Sequence, residues 1–214
     1  LEADAAAPKS TVVAGHSVGE VTAAAVTGVL SPAEALSLVR VRATGMARAA
    51  AATPTGMAAV VGGDQDEVLA AIDAAGLAPA NVNGAGQIVA AGTAEALGAL
   101  AGSAPARARV IPLKVAGAFH TEHMRPAVDD LAAHVADLSP SDPRLPLLSN
   151  RDGEAVESGT DVLARIVDQV TRPVRWDLCM ATMATRQVTG VLELLPGGTL
   201  TGLCLLYTSD AADE

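Results

Sequence analysis

The stretch TVVAGHSVGEVTAAAVTG, residues 11–28, begins as a short β-branched run, Thr11 to Ala14, that meets Gly15. From Val18 it turns Ala-rich and helical as far as Gly28. Strand, sharp turn and helix in that order are the setting in which G-x-S-x-G, here Gly15-His16-Ser17-Val18-Gly19, holds a serine hydroxyl out from a strained turn. The helix starting at Val18 aims backbone N–H groups at the place where an oxyanion would develop. The bare motif fits a helix-capping serine equally well. The strand before Ser17 and the helix after it favour a nucleophile.

Working outward, Ser31, Pro32 and Glu34 supply a cap, a first-turn proline and a capping box, so a helix is predicted from there to about Ala51, carrying Arg42. From Met57 the signals shorten: an apolar run to Val61, a helix after Asp64 ending at Gly76, runs at Ala80 to Asn83 and Gln87 to Ala91, a helix after Thr93 and a strand near Val110. This β-α-β-β-α-β order is that of a ferredoxin-like module, read as an inserted small domain. Longer elements return after Lys114. They are a helix from about Thr121 to Asp137, a Pro-rich loop through Pro146, a strand at Leu147, helices at Thr160 to Val170 and Trp176 to Arg186, and a strand at Val191 to Leu195. Helices alternating with buried strands make the fold α/β. The expected division is 1–55 and 116–203 for the two parts of a large α/β unit, 56–115 for the small one, and 204–214 for a tail.

With 214 residues, 50% of them hydrophobic and 18% charged, the chain has material for a sizeable core. Aromatic residues are 1% and the net charge is -10, which argues against nucleic acid as a partner, because stacking platforms are missing and phosphates are repelled. The two cysteines, Cys179 and Cys204, form no zinc-spaced cluster with histidine, so no metal is expected and a reducing cytoplasm fits best. The opening residues lack a signal-peptide pattern, and no apolar run approaches the roughly 20 residues of a membrane span.

A nucleophilic serine needs a base, and the histidines are His16, His120, His123 and His134. His16 is beside Ser17, so its side chain diverges from the hydroxyl and is expected to pack. His123 and His134 fall on the predicted Thr121 to Asp137 helix, where a solvated or half-buried role is the default. His120 lies between a strand and that helix, where a loop can aim a side chain into a site. A His120/His123 metal pair lacks both a third ligand and the H-E-x-x-H arrangement.

GHSVGE at 15–20, the arginine of VRATGM, NVNGAGQIVAAG at 81–92, GAFHTEHM at 117–124, SNRDG at 149–153, QVTRPVRW at 169–176 and PGGTLTGL at 196–203 occur in one order. Together they resemble the malonyl-CoA:acyl carrier protein transacylases, with an Ala-rich style similar to actinobacterial members. The resemblance implies a hydrolase-like, parallel-sheet acyltransferase core with the ferredoxin-like unit inserted. It implies Ser17 as nucleophile, His120 as base, the Gln169 backbone carbonyl orienting the imidazole, and Val18 N–H as an oxyanion donor. Arg42 would grip the free carboxylate of the malonyl group, a task for a planar bidentate donor. Asn150 and Phe119 would line the substrate. Val18 and Phe119 resemble malonyl-selective rather than methylmalonyl-selective members, although an extra methyl is worth only about 1–3 kcal/mol of discrimination. No cofactor is implied beyond malonyl-CoA as substrate. The implied partner is acyl carrier protein, met by a monomer through basic residues such as Arg125, Arg172 and Arg175.

The chain departs from that pattern at both ends. It starts at Leu1 rather than Met, and the family's first strand and G-Q-G-x-Q loop, source of a second oxyanion donor, are not present, so little activity is expected of these 214 residues alone. The last residues, CLLYTSDAADE, resemble translated sequencing adapter and are expected to be a non-native, expendable tail. The rivals are a serine hydrolase or thioesterase, which would need a triad carboxylate and has no use for Arg42, a non-catalytic carrier-protein docking module, and the acyltransferase domain of a polyketide synthase.

Overall fold

The computed structural model describes residues 12–84 and 86–210. Helix α1, Gly19–Val26, follows the Gly15 turn directly, and α2, Pro32–Ala52, starts where predicted. The Ser31 hydroxyl accepts from the Glu34 N–H while the Glu34 carboxylate accepts from the Ser31 N–H, satisfying donors that would otherwise be orphaned at the helix start. Leu38, Met46 and Ala49 of α2 are buried against Val21, Met124, Leu131, Leu163 and Ile166, which form the largest core cluster.

Strands β1 (Thr55–Gly62), β2 (Ala78–Gly84), β3 (Gln87–Thr93) and β4 (Ala108–Pro112) alternate with α3 (Gln65–Ala74) and α4 (Ala94–Gly102) in the predicted order. The capping residues of both helices, Asp64 and Thr93, accept from first-turn N–H groups. One sheet face packs on α3 and α4 through Val60, Val68, Ile72, Val82, Ile88 and Leu100. The other, built from Met57, Ala80, Val89 and Ala91, packs on Ala118 and Phe119, next to His120. The sheet order is β4-β1-β3-β2-β7, where β7 is Val174–Arg175, lying parallel to β2 while the other pairs are antiparallel. The chain is therefore α/β with a mixed sheet.

The remaining elements are α5 (Val128–Ala136), the short hairpin β5 (Leu147–Leu148) and β6 (Ala155–Val156), α6 (Gly159–Gln169), α7 (Trp176–Thr185) and α8 (Thr199–Asp210). Three expectations change. The helix predicted over Thr121 to Asp137 is a 3-10 segment, Glu122–Ala127, followed by α5, because Pro126 has no N–H to give an α-helical ladder. The run at Val191 to Leu195 is not a strand: Val191, Leu192 and Leu195 are exposed, and no neighbour among the described residues pairs with it. Of the strand expected over Thr11 to Ala14, Thr11 lies outside the described residues and Val13 makes one parallel bridge to Leu147.

Part of the expected tail is in α8, where Cys204 packs beside Leu203 against the Trp176 cluster; residues 211–214 lie outside the described ones. No described helix is long and apolar enough to cross a membrane.

Candidate active site

Gly15 is required by space. A Cβ there would come within 2.1 Å of the Gly19 carbonyl carbon, so the chain can close this tightly only without a side chain. Ser17 sits at φ 56°, the left-handed region that costs a non-glycine residue about 1–3 kcal/mol. The fully buried Asn150 holds it there: its Oδ1 accepts from the Ser17 N–H at 2.8 Å and its Nδ2 donates to the Gly15 carbonyl at 2.8 Å. The N–H groups of Gly19, Glu20 and Val21 are taken by the carbonyls of His16, Ser17 and Val18. Val18 N–H, at the start of α1, has no acceptor among the described residues.

His120 is the other site residue held left-handed, at φ 61°. Its loop is pinned by close approach, since a Cβ on Gly117 would lie 2.8 Å from the Ala50 methyl of α2, and by the Ala118 N–H donating to Thr55 Oγ1 at 3.0 Å. Thr121 Oγ1 donates to the Ala118 carbonyl at 2.7 Å and closes the turn. The imidazole reaches Ser17, with Nε2 2.7 Å from Oγ, while Nδ1 is 2.9 Å from the backbone oxygen of Gln169. A carbonyl only accepts, so Nδ1 carries the proton and Nε2 is free to accept from the hydroxyl. Burial pulls the His120 pKa down to about 4 against the opposing pull of the Gln169 carbonyl, with the Arg42 cation lowering it further. The imidazole is neutral at pH 7, the form a base needs.

Arg42 crosses from α2 to the same hydroxyl. Its Nη2 donates to Ser17 Oγ at 3.2 Å and to Gln169 Oε1 at 2.9 Å, and its Nε is buried with no partner. Burial lowers its pKa to about 10, with Glu20 pulling the other way, so it stays a cation. Glu20, one turn after Ser17 and 6% exposed, accepts from the Asn150 N–H at 2.6 Å and from Gln169 Nε2. Its pKa is raised to about 7 by burial, opposed by the bonds from Asn150 and Gln169 and by the Arg42 charge.

His120 and Arg42, far apart in sequence, thus converge on the Ser17 hydroxyl, and the Gln169 carbonyl holds the imidazole from its other side. Asn150 is behind the elbow, its amide committed to the Gly15 carbonyl and the Ser17 N–H. Phe119 is half-buried against two core clusters, and the Val18 side chain is 45% exposed. His16 packs as expected, its ring 5.7 Å from that of Trp176 and its Nε2 2.9 Å from Asn83 Oδ1. His123 is exposed, and His134 has a buried Nε2 with no partner. Among the described residues no cluster of His, Cys, Asp or Glu could hold a metal ion. Arg125 is paired with Glu122, which Arg172 also faces; Arg175 is paired with Asp177. Sequence reasoning missed Glu20 and the side chain of Gln169. The one available signal was the acid inside GHSVGE, a position that also suits a solvated first-turn carboxylate.

Chemically, the arrangement offers a hydroxyl hydrogen-bonded to a neutral imidazole, a backbone donor on the same turn, and a guanidinium with an unused N–H beside them. Residues 4–201 match the family of the acyl transferase domain. The chain is 52% identical over 197 residues to a malonyl CoA-acyl carrier protein transacylase of Mycobacterium tuberculosis, covering 92% of this chain and 65% of that protein. It is 35% identical over 199 residues to one from Escherichia coli K12, covering 90% and 64%. The crystal structure of MCAT from Mycobacterium tuberculosis superposes with a TM-score of 0.89 at 51% identity, covering 92% of this chain and 65% of that one. A malonyl-transacylase in complex with its type II PKS acyl-carrier protein matches with a TM-score of 0.86 at 29% identity, covering 95% and 68%. The chain spans 65% of the length of the mycobacterial relatives it matches.

Proposed function

Because the chain belongs to the acyl transferase domain family, we propose that it carries the site that moves a malonyl group from malonyl-CoA to the phosphopantetheine thiol of acyl carrier protein, as in fatty acid synthesis. The observation that carries this reading is the 2.7 Å contact between Ser17 Oγ and His120 Nε2, across 103 positions of sequence.

His120 Nε2 takes the hydroxyl proton as Ser17 Oγ attacks the thioester carbonyl carbon, and the oxyanion settles against Val18 N–H. The C–S bond breaks, CoA leaves as its thiol with the proton from the imidazolium, and malonyl remains as an ester on Ser17. The carrier thiol then gives its proton to His120 and its sulfur attacks the ester carbonyl; the Ser17 oxygen leaves and takes the proton back. Holding Nδ1 by the Gln169 carbonyl fixes the tautomer through both halves, as a triad carboxylate would, but without its negative charge. The cationic Arg42, with a buried Nε lacking a partner, fits the free carboxylate of malonyl. A hydrolase reading loses ground because the third position of its triad is filled here by a carbonyl.

The same proposal takes the β1-to-β4 unit as a ferredoxin-like subdomain inserted in a hydrolase-like, parallel-sheet core, with the boundaries 1–55, 56–115 and 116–203, and its support is the antiparallel order β4-β1-β3-β2. It extends to a monomer working in the cytoplasm, where the buried Cys179 is kept as a thiol. The test is to incubate the full-length protein with malonyl-CoA and holo acyl carrier protein and weigh both proteins by mass spectrometry. A malonyl adduct on the enzyme that passes to the carrier and disappears in Ser17→Ala is expected. A carrier that becomes malonylated equally well by Ser17→Ala would refute it.

A further inference from the structure

We propose that Glu20 is a positioning residue that sets the acyl selectivity of the site: its carboxylate orients the side-chain amide of Gln169, and that amide holds the Arg42 guanidinium ready for a carboxylate on the acyl group. The inference rests on the transacylase reading above and adds a residue to it.

The argument is one of donors and acceptors. A carboxylate only accepts and a guanidinium only donates, whereas a primary amide does one at each end. The Gln169 amide lies between the two. Its Nε2 donates to Glu20 Oε2 and, at 3.1 Å, to the Ser17 carbonyl, while its Oε1 accepts from Arg42 Nη2 at 2.9 Å. A flipped amide would set NH2 against the guanidinium and oxygen against the carboxylate. The other oxygen of Glu20 accepts from the Asn150 N–H at 2.6 Å, so each carboxylate oxygen faces a donor from a different element.

The indirect pairing matters for selectivity. Glu20 and Arg42 are 6% and 7% exposed, opposite charges in one interior, yet no ion pair joins them directly. The amide between them lets Glu20 balance the buried cation while the Arg42 Nε remains unpartnered. A direct ion pair would fill the donors that an incoming carboxylate needs. With Glu20 neutral or gone, nothing of opposite charge would steady Arg42 before an acyl carboxylate arrives.

Glu20→Gln keeps the shape but has one oxygen for two donors, so its NH2 must face either the Asn150 N–H or the Gln169 NH2. Glu20→Asp keeps both acceptors. Acylation of Ser17 from malonyl-CoA and from acetyl-CoA is followed by intact-mass spectrometry at about pH 8, above the pKa of about 7 for Glu20, with melting curves beside it. In Glu20→Gln the malonyl-to-acetyl ratio of acylation rates should fall by about tenfold or more, the scale of one hydrogen bond to a charged group, and Glu20→Asp should recover part of it. Equal loss on both thioesters, or an unchanged ratio, would overturn the proposal. Should Glu20→Gln fail to fold, Gln169→Leu decides: it removes the amide and keeps the carbonyl that orients His120, so a fallen ratio supports the proposal and a wild-type ratio overturns it. A full-length wild-type protein acylated by neither thioester would remove the transacylase reading and this inference together, whereas wild-type acylation with unchanged selectivity in the variants removes the inference alone.

Discussion

Replacing Asn150 by alanine should release the turn that carries Ser17. The side chain is fully buried, and the change strands two groups it now satisfies, the Ser17 N–H and the Gly15 carbonyl, each bonded at 2.8 Å. An orphaned buried polar group costs about 1–3 kcal/mol, so the pair should lower the unfolding free energy by about 2–6 kcal/mol. The loss has a direction as well as a size. Ser17 is held at φ 56° by this clamp, and without it the residue can relax toward ordinary backbone angles, moving Oγ off the 2.7 Å contact with His120. Urea unfolding reads the first effect and the rate of malonyl-enzyme formation reads the second. Asn150→Asp makes the comparison sharper, because it can keep an acceptor for the Ser17 N–H while placing an oxygen against the Gly15 carbonyl. If Asn150→Ala unfolds within about 0.5 kcal/mol of wild type and loses only affinity for malonyl-CoA, then Asn150 lines the substrate and the clamp argument is wrong.

Arg42→Ala should slow malonyl transfer by about a hundredfold and acetyl transfer far less, since acetyl has no carboxylate; equal losses measured on the two thioesters would make Arg42 structural. Gly15→Ala should cost about 3 kcal/mol or more, because the new Cβ would overlap the Gly19 backbone, and a wild-type melting curve would contradict that packing. The pKa of His120 is about 4 when folded against 6.5 ordinarily, so as pH falls below 6.5 the unfolded chain takes up a proton that the folded one refuses. Its stabilising effect is complete above pH 6.5 and is lost downward toward pH 4, amounting to about 2 kcal/mol by about pH 5. Glu20, whose raised pKa of about 7 adds stability on acidification, acts in the opposite sense over the same window, so the His120 contribution is read as a difference. His120→Asn, which tolerates the left-handed backbone, should gain stability relative to wild type as pH is lowered from about pH 7 to about pH 5, and identical slopes by chemical denaturation would show that His120 does not titrate in this way.

Where local rules decide the outcome, the sequence was legible. The Ser31-Pro32-Glu34 cap places the start of α2, and the alternation from Met57 onward yields every element of the β1-to-β4 unit. It failed where pairing partners or one residue's chemistry decide. Val191 to Leu195 has strand composition but no neighbour to bond, and Pro126 breaks a helix whose apolar pattern continues on both sides. At the site, Ser17 was marked by its turn, whereas His120 and Arg42 were singled out by family likeness. The Glu20–Gln169–Arg42 chain could not be read, because a first-turn acid at a helix start has the same sequence signature whether it faces water or an arginine from another helix.

The partner that orients His120 is a main-chain oxygen, that of Gln169. No codon change at position 169 can delete it, so the contact is invisible to alanine scanning and carries no signature in the amino-acid sequence. Substitutions there report on Arg42 and Glu20 instead. A genetic screen that counts intolerant positions would therefore find the serine and the histidine but never their third member; an ester bond in place of the following amide would leave that carbonyl weaker as an acceptor. Only such backbone chemistry, introduced between Gln169 and Val170, can ask how much the orienting bond contributes.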